Sequence, residues 1–194
     1  MMYDVAWDLP SEVIRTYREI DRKTGRLQAA TGLRCPSGCG ACCESPEVEA
    51  TVPEALPLAH EIYRRKEEEA VLRAVEEREN RGDLRCALYL LDPVSPGKGR
   101  CSYYQFRPLL CRLFGFASRK NKHGDLEFCP CRVIKQRSPE AVRRAEIRIS
   151  KGLDIPVYQE SFVRIASMDP GLGYRRLPIN RALKEALEQL YWRR

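Results

Sequence analysis

A mainly α-helical fold with a few short strands, its helices set around a small, irregular, cysteine-rich core, is what the sequence predicts. Helix-period spacing of apolar residues recurs at the start, the middle and the end of the 194 residues. The segments with strand character are all short. Nine cysteines lie between residues 35 and 131, and four of them fall in RCPSGCGACCES, where glycine and proline disfavour regular structure. The organisation expected is an N-terminal helical segment over 1–32, a cysteine-bearing domain over 33–131 and a cysteine-free helical extension over 132–194 packed upon it.

Residues 11–23 place Val13, Ile14, Tyr17 and Ile20 on one helical face, with Pro10 ahead and Gly25 as the expected stop. The run 35–43 is read as a loop held by its own side chains. Glu47 to Thr51 alternates like an edge strand. Thr51-Val52-Pro53-Glu54 fits a capping box, which starts a helix expected to run to Asn80 and stop at Gly82, with a kink at Pro57 and Glu67, Glu68 and Glu69 on a solvated face. Residues 84–91 read as a buried strand, followed by a turn-rich connection over 92–99. Pro108 suits the first turn of a short helix carrying Cys111. Phe116 to Phe128 suggests a hairpin about Lys122-His123-Gly124-Asp125. Beyond it, Ser138-Pro139-Glu140 opens a helix that Gly152 ends. Residues 156–168 look helical, and Asn180 is expected to cap a last helix with Leu183, Leu187, Leu190 and Tyr191 as its apolar stripe.

Composition narrows the function. The length and the 43 % hydrophobic content suffice for a core without help from metal. Runs such as Ala87 to Leu91 are too short to span a membrane. The first ten residues lack the basic segment and apolar run of a secretory signal. With an odd number of cysteines, full disulfide pairing would leave one thiol over, and the adjacent Cys42 and Cys43 would crowd each other as bridge partners. A reducing, cytoplasmic setting follows, in which clustered cysteine reads as metal binding. The net charge of +7 is uneven: residues 1–99 carry 14 Lys/Arg against 18 Asp/Glu, and residues 100–194 carry 20 against 9. Eight thiolates on two divalent cations would bring the total to about +3, so part of the basic excess balances the site.

Thiolate is a soft ligand, and sites made of it alone favour zinc, copper(I) or iron-sulfur clusters. The two histidines, His60 and His123, are outside the cysteine segments and are read as exposed or capping residues. Candidate metal ligands are Cys35, Cys39, Cys42, Cys43, Cys86, Cys101, Cys111 and Cys129. Consecutive residues project in different directions, so Cys42 and Cys43 serve two metals or bridge a pair. Zinc is preferred for a closed tetrahedral structural site, and iron or an iron-sulfur cluster is the alternative. Four thiolates on a divalent cation leave about −2 charge, which needs cations or donors nearby. Arg107 and Arg112 flank Cys111, and Tyr104 could donate to sulfur, so these three are the expected supporting residues.

Cys35-x3-Cys39-x2-Cys42-Cys43, Cys86 in a hydrophobic segment, GRCSYYQFRPLLCRLF over 99–114 and Cys129-Pro130 together resemble the CxxCxxCC cysteine-cluster family, also called YkgJ-like. In its most specific block Cys101, Tyr104, Arg107, Pro108 and Cys111 fill the family's places. The resemblance spans residues 33–131 and implies chelation of zinc or iron, with a structural, sensing or metal-delivery role. Cys131 stands beyond the family's usual eight. Some flagellin lysine methylases look similar across this signature, which supplies the alternative of an iron-sulfur enzyme acting with S-adenosylmethionine. The C-x3-C-x2-C spacing also fits that chemistry, but no β/α barrel and no glycine-rich nucleotide fingerprint accompanies it. The remaining alternative is a nucleic-acid partner for Arg137, Arg144, Arg148 and Lys151 on one helix, though a solvated face explains them more simply.

Overall fold

The computed structural model describes residues 8–95 and 98–193. Its first helix, α1, runs Leu9–Thr31, past the expected stop. Gly25 sits at an open position where an added Cβ would meet nothing within 4 Å, and one exposed helical glycine costs only about 1 kcal/mol. Burying Leu27 completely outweighs that. The true stop is Gly32, whose φ of 73° lets its N–H reach the Gln28 carbonyl. Within the cysteine run a single helical turn forms, α2 (Ala41–Glu44), so that segment is not wholly loop.

The expected edge strand shrinks to β1, Glu49–Ala50, and the capping box beside it forms as read: the Thr51 hydroxyl accepts from the Glu54 N–H, and the Glu54 carboxylate accepts from the Thr51 N–H. It opens α3, Val52–Arg65, with Pro57 inside it. The single long helix expected to Asn80 is two helices. Lys66 takes a left-handed φ of 57° and caps α3, and α4 then runs Glu68–Asn80 with Val71 and Val75 turned inward. Of the solvated glutamates, Glu67 accepts a hydrogen bond from the Tyr103 hydroxyl.

Residues 84–91 are not a buried strand. Only β2, Tyr89–Leu91, is extended, and Leu84, Leu90 and Leu91 are exposed. It pairs antiparallel with β3, Gly99–Cys101, in the register Tyr89↔Cys101; Pro96 and Gly97 of the turn-rich connection lie outside the described residues. A 3-10 turn over Tyr104–Phe106 leads to α5, Leu109–Leu113, which starts after Pro108 and carries Cys111 as expected. The hairpin is β4 (Ser118–Lys120) with β5 (Leu126–Phe128). Then follow α6 (Arg132–Arg137), α7 (Pro139–Ser150), α8 (Tyr158–Ala166) and α9 (Pro170–Gly173). β6, Leu177–Pro178, pairs with β1 and leads directly into α10, Ile179–Tyr191.

α3 is the axis of the main core, buried along nearly its whole length, with α10 and α1 packed against it. On α10, Leu183, Leu187 and Leu190 form the expected stripe, while Tyr191 is 63 % exposed and not part of it. Asn180 does not cap that helix. It is buried inside it, and its amide reaches 93 residues back to accept from the Ala87 N–H at 2.8 Å and donate to the Arg85 carbonyl at 2.9 Å. A second, smaller core joins the C-terminal half of α1 to α6 and α7 through Leu27, Leu33, Ile134 and Ala145.

Candidate metal centre

The chain brings its cysteine segments together through backbone contacts. The Cys86 N–H donates to the Cys43 carbonyl at 2.9 Å, and the Gly99 N–H donates to the Gly38 carbonyl at 3.1 Å. These two bonds lay the 35–43 run along the 86–101 hairpin. The Tyr89 ring is the spacer between them: a Cβ on Gly40 would stand 2.3 Å from it, and one on Gly99 would stand 2.2 Å from it and 2.6 Å from the Leu90 carbonyl oxygen. Only glycine permits that approach, and at Gly40 the φ of 25° adds a second reason.

All nine cysteines are free thiols. Cys42, Cys43, Cys86, Cys101 and Cys111 line one small enclosed space of about 20 Å³, walled by Leu58, Leu88, Ile179 and Leu183. That is room for little more than one water-sized body. A wider, more open cavity of about 240 Å³ adjoins it, lined by Cys35, Cys39 and Cys131 with Cys42, Cys43, Cys101 and Cys111 on the shared side. Cys129 lines neither. It faces a third hollow beside Leu113 and Tyr158, which Cys131 also lines, and its thiol contacts the Glu127 carbonyl at 3.5 Å. Cys131, which stands beyond the expected eight, lines the wider cavity as the residue just ahead of α6.

Electrostatics knit the group together. The Cys43 thiol, held between Cys101 and Cys42, is pushed far up because its proton bridges to them and burial penalises its anion. Its neighbours move the other way. Cys42 falls to about 7, chiefly by accepting from Cys43 and further through the Arg107 guanidinium; Cys101 is lowered by the same two partners. Burial raises Cys86 to about 12 and lifts Cys111. Cys35 rises to about 12 through burial and the closeness of Cys39, Cys42 and Cys131. Neutral thiols crowded in this way share protons, and a cation would replace those protons and reverse the penalty. Among the described residues no three cysteine, histidine or carboxylate side chains are already set about one point as a metal cage.

The expected supporting residues divide. Arg107 stacks on Tyr104 at 3.4 Å, donates to the Cys111 carbonyl at 3.3 Å and faces the sulfurs. Tyr104, 55 % exposed, lines the wider cavity. Arg112 turns elsewhere, to Asp21 at 2.5 Å and the Gln105 carbonyl at 2.5 Å. Both histidines are exposed. On the basic helix α7, Arg144 gives its Nε–H to the Thr31 carbonyl and so ties α7 to α1. No described helix is long and apolar enough to cross a membrane.

The donor set, soft thiolates alone in two adjoining spaces with an arginine at the sulfurs, suits zinc or iron and no hard oxygen-seeking cation. No curated protein and no solved structure matches this chain. A family model does match, over residues 34–150, more than half of the sequence, and its description is "CxxCxxCC: Putative zinc- or iron-chelating domain". With its cysteines gathered as described, the chain belongs to the CxxCxxCC family of metal-chelating domains.

Proposed function

We propose that the protein holds two metal ions, zinc in preference to iron, in two adjoining thiolate sets. Cys43, Cys86, Cys101 and Cys111 make the inner set. Cys35, Cys39, Cys42 and Cys131 make the outer one. The observation that carries this reading is that a loop at 35–43 and segments 40 to 70 residues further along line one enclosed space. The split between Cys42 and Cys43 answers the difficulty that adjacent residues cannot readily chelate one ion. The inner space, closed and walled by leucine and isoleucine, fits a structural ion with no open position. The outer cavity is open and glycine-lined, which suits an ion that exchanges, and so a role in sensing or delivery. Arg107 offsets the negative charge of both sets.

Iron-sulfur chemistry is the second reading, favoured by one observation: 240 Å³ exceeds what a single ion needs. An anaerobic, reducing purification with elemental analysis and an absorption spectrum separates the two. Two zinc equivalents and no visible absorption are expected; a broad visible band with iron and sulfide would replace zinc by a cluster. Less than about half an equivalent of any metal per chain would end the chelation reading. The ligand assignment has its own check: Cys131→Ser should lose one equivalent, and Cys129→Ser should keep both.

A further inference from the structure

Next to the wider cysteine cavity, sharing Tyr104, Arg107 and Phe116 with it, lies a groove of about 590 Å³ that the metal reading does not use. One wall is a single face of α1, made by Tyr17, Arg18, Asp21, Thr24 and Gln28. The other is the 104–107 turn together with Arg112 and Phe116. Three arginines and one aspartate face this space, a net charge of +2.

Two polar atoms here are buried without a partner, Arg112 Nε and Thr24 Oγ1. Arg112 is only 5 % exposed. Its two terminal nitrogens bond Asp21 and the Gln105 carbonyl, and its guanidinium lies 4.4 Å over the Tyr17 ring, so the group is fixed in place while its Nε–H stays unused. A buried, unsatisfied guanidinium N–H costs more than a neutral one, and an oxyanion is the partner that satisfies it best. Thr24 lines the same space, its hydroxyl covered and likewise without a partner. Arg18, exposed at the rim, has no ion pair among the described residues. Asp21 does not repel an incoming anion fully, because Arg112 already neutralises it. Ile14, Pro57 and Phe106 add an apolar floor.

We propose that this groove binds a small organic anion, a carboxylate or phosphate ester. Its oxyanion meets Arg18 at the rim and reaches Arg112 Nε and Thr24 Oγ1 once a small side-chain shift uncovers them, and its carbon skeleton lies against Phe106 and Ile14. The shared chemistry is a planar or tetrahedral oxyanion joined to an apolar body, and Arg107 connects this site to the thiolate cavity next to it.

Calorimetric titration of the full chain at low ionic strength with phenyl phosphate, benzoate and inorganic phosphate tests it. Phenyl phosphate or benzoate should bind at least about tenfold tighter than inorganic phosphate, since the apolar floor contributes only to them. The better of the two organic probes identifies the headgroup. Arg18→Ala should weaken that probe about tenfold and Thr24→Val about fivefold. Thr24→Val should leave the thermal midpoint unchanged or higher, because it removes a buried hydroxyl with no partner. Inorganic phosphate binding as tightly as the organic probes would overturn the organic-anion assignment. No binding of any probe, or binding that ignores both substitutions, would overturn the site. Because these are direct binding measurements, their failure leaves metal content untouched and cannot be confused with failure of the chelation reading.

Discussion

At the scale of single residues, Glu54 couples the helical core to the cysteine centre. Its carboxylate closes the capping box of α3 and also accepts the Leu109 N–H at 3.1 Å, the first amide of the helix that carries Cys111. Around it stand Tyr17 from α1, whose hydroxyl donates to the Glu54 carbonyl at 2.8 Å, Tyr158 from α8 and Arg176 ahead of β6. Burial raises the carboxyl from 4.5 to about 7, against the lowering effect of these hydrogen bonds and of Arg176. The folded state therefore binds this proton more tightly than the unfolded chain does. The resulting stability is fully present below pH 4.5 and is lost as pH rises through about 7. Its size is on the order of 3 kcal/mol. Denaturation of wild type and Glu54→Gln from about pH 5 to about pH 8 should show the wild type losing that much relative to the variant, which cannot titrate. Parallel curves would place the proton elsewhere. The residues differ in how far they could be read in advance. A capping box is a four-residue pattern and announces itself. That Cys131 and not Cys129 lines the wider cavity could not be read in advance, because it depends on where β5 ends and α6 begins, and no local spacing fixes that.

At the scale of elements, the helices with strong apolar periodicity were legible and their ends were not. Gly25 and Gly82 carry the same local signal, yet burial of Leu27 carries α1 through the first. The break at Lys66 has no glycine or proline to mark it. The least legible contact is the one between α10 and the Cys86 segment. Asn180 at the start of a helix looks like a cap, and only its burial against residues 85–87 shows that it serves as a splint for irregular backbone. That splint replaces the strand pairing which the hydrophobic run 84–91 suggested. Asn180→Ala would orphan the Ala87 N–H and the Arg85 carbonyl, at a cost of about 1–3 kcal/mol. Asn180→Asp should keep the first bond and lose the second. If the splint positions Cys86, competition with a chromogenic chelator will show faster metal loss from Asn180→Ala. A Leu187→Ala control should destabilise by about 2–5 kcal/mol without that acceleration, since Leu187 is buried in the main core and lines neither cysteine cavity.

At the scale of the whole molecule, the question is whether metal is needed for the fold or only for the site. The core around α3 is made of fully buried apolar side chains, among them Val13, Leu56, Ile62 and Leu187, drawn from α1, α3 and α10. Those side chains carry no sulfur, although the same cluster takes in Cys43, Cys86 and Cys111. The smaller core between α1, α6 and α7 is likewise closed by Leu27, Ile134 and Ala145. The cysteines themselves sit on short elements, with strands three residues long and helices of one or two turns. Elements of that length are not stable alone, so a bound cation would contribute most there. Metal held at about a hundred times its dissociation constant adds about 3 kcal/mol, which for a chain of this size is about 10 °C in midpoint. Removing it with a chelator under reducing conditions should lower the midpoint by that amount, yet leave most of the helical circular dichroism in place at 25 °C. Amide exchange should speed up at Cys86, Tyr89 and Cys101 before it does in α3. Complete loss of helical signal on chelation would instead mean that the thiolate centre holds the two cores together, and that the apolar packing of α1, α3 and α10 is insufficient without it.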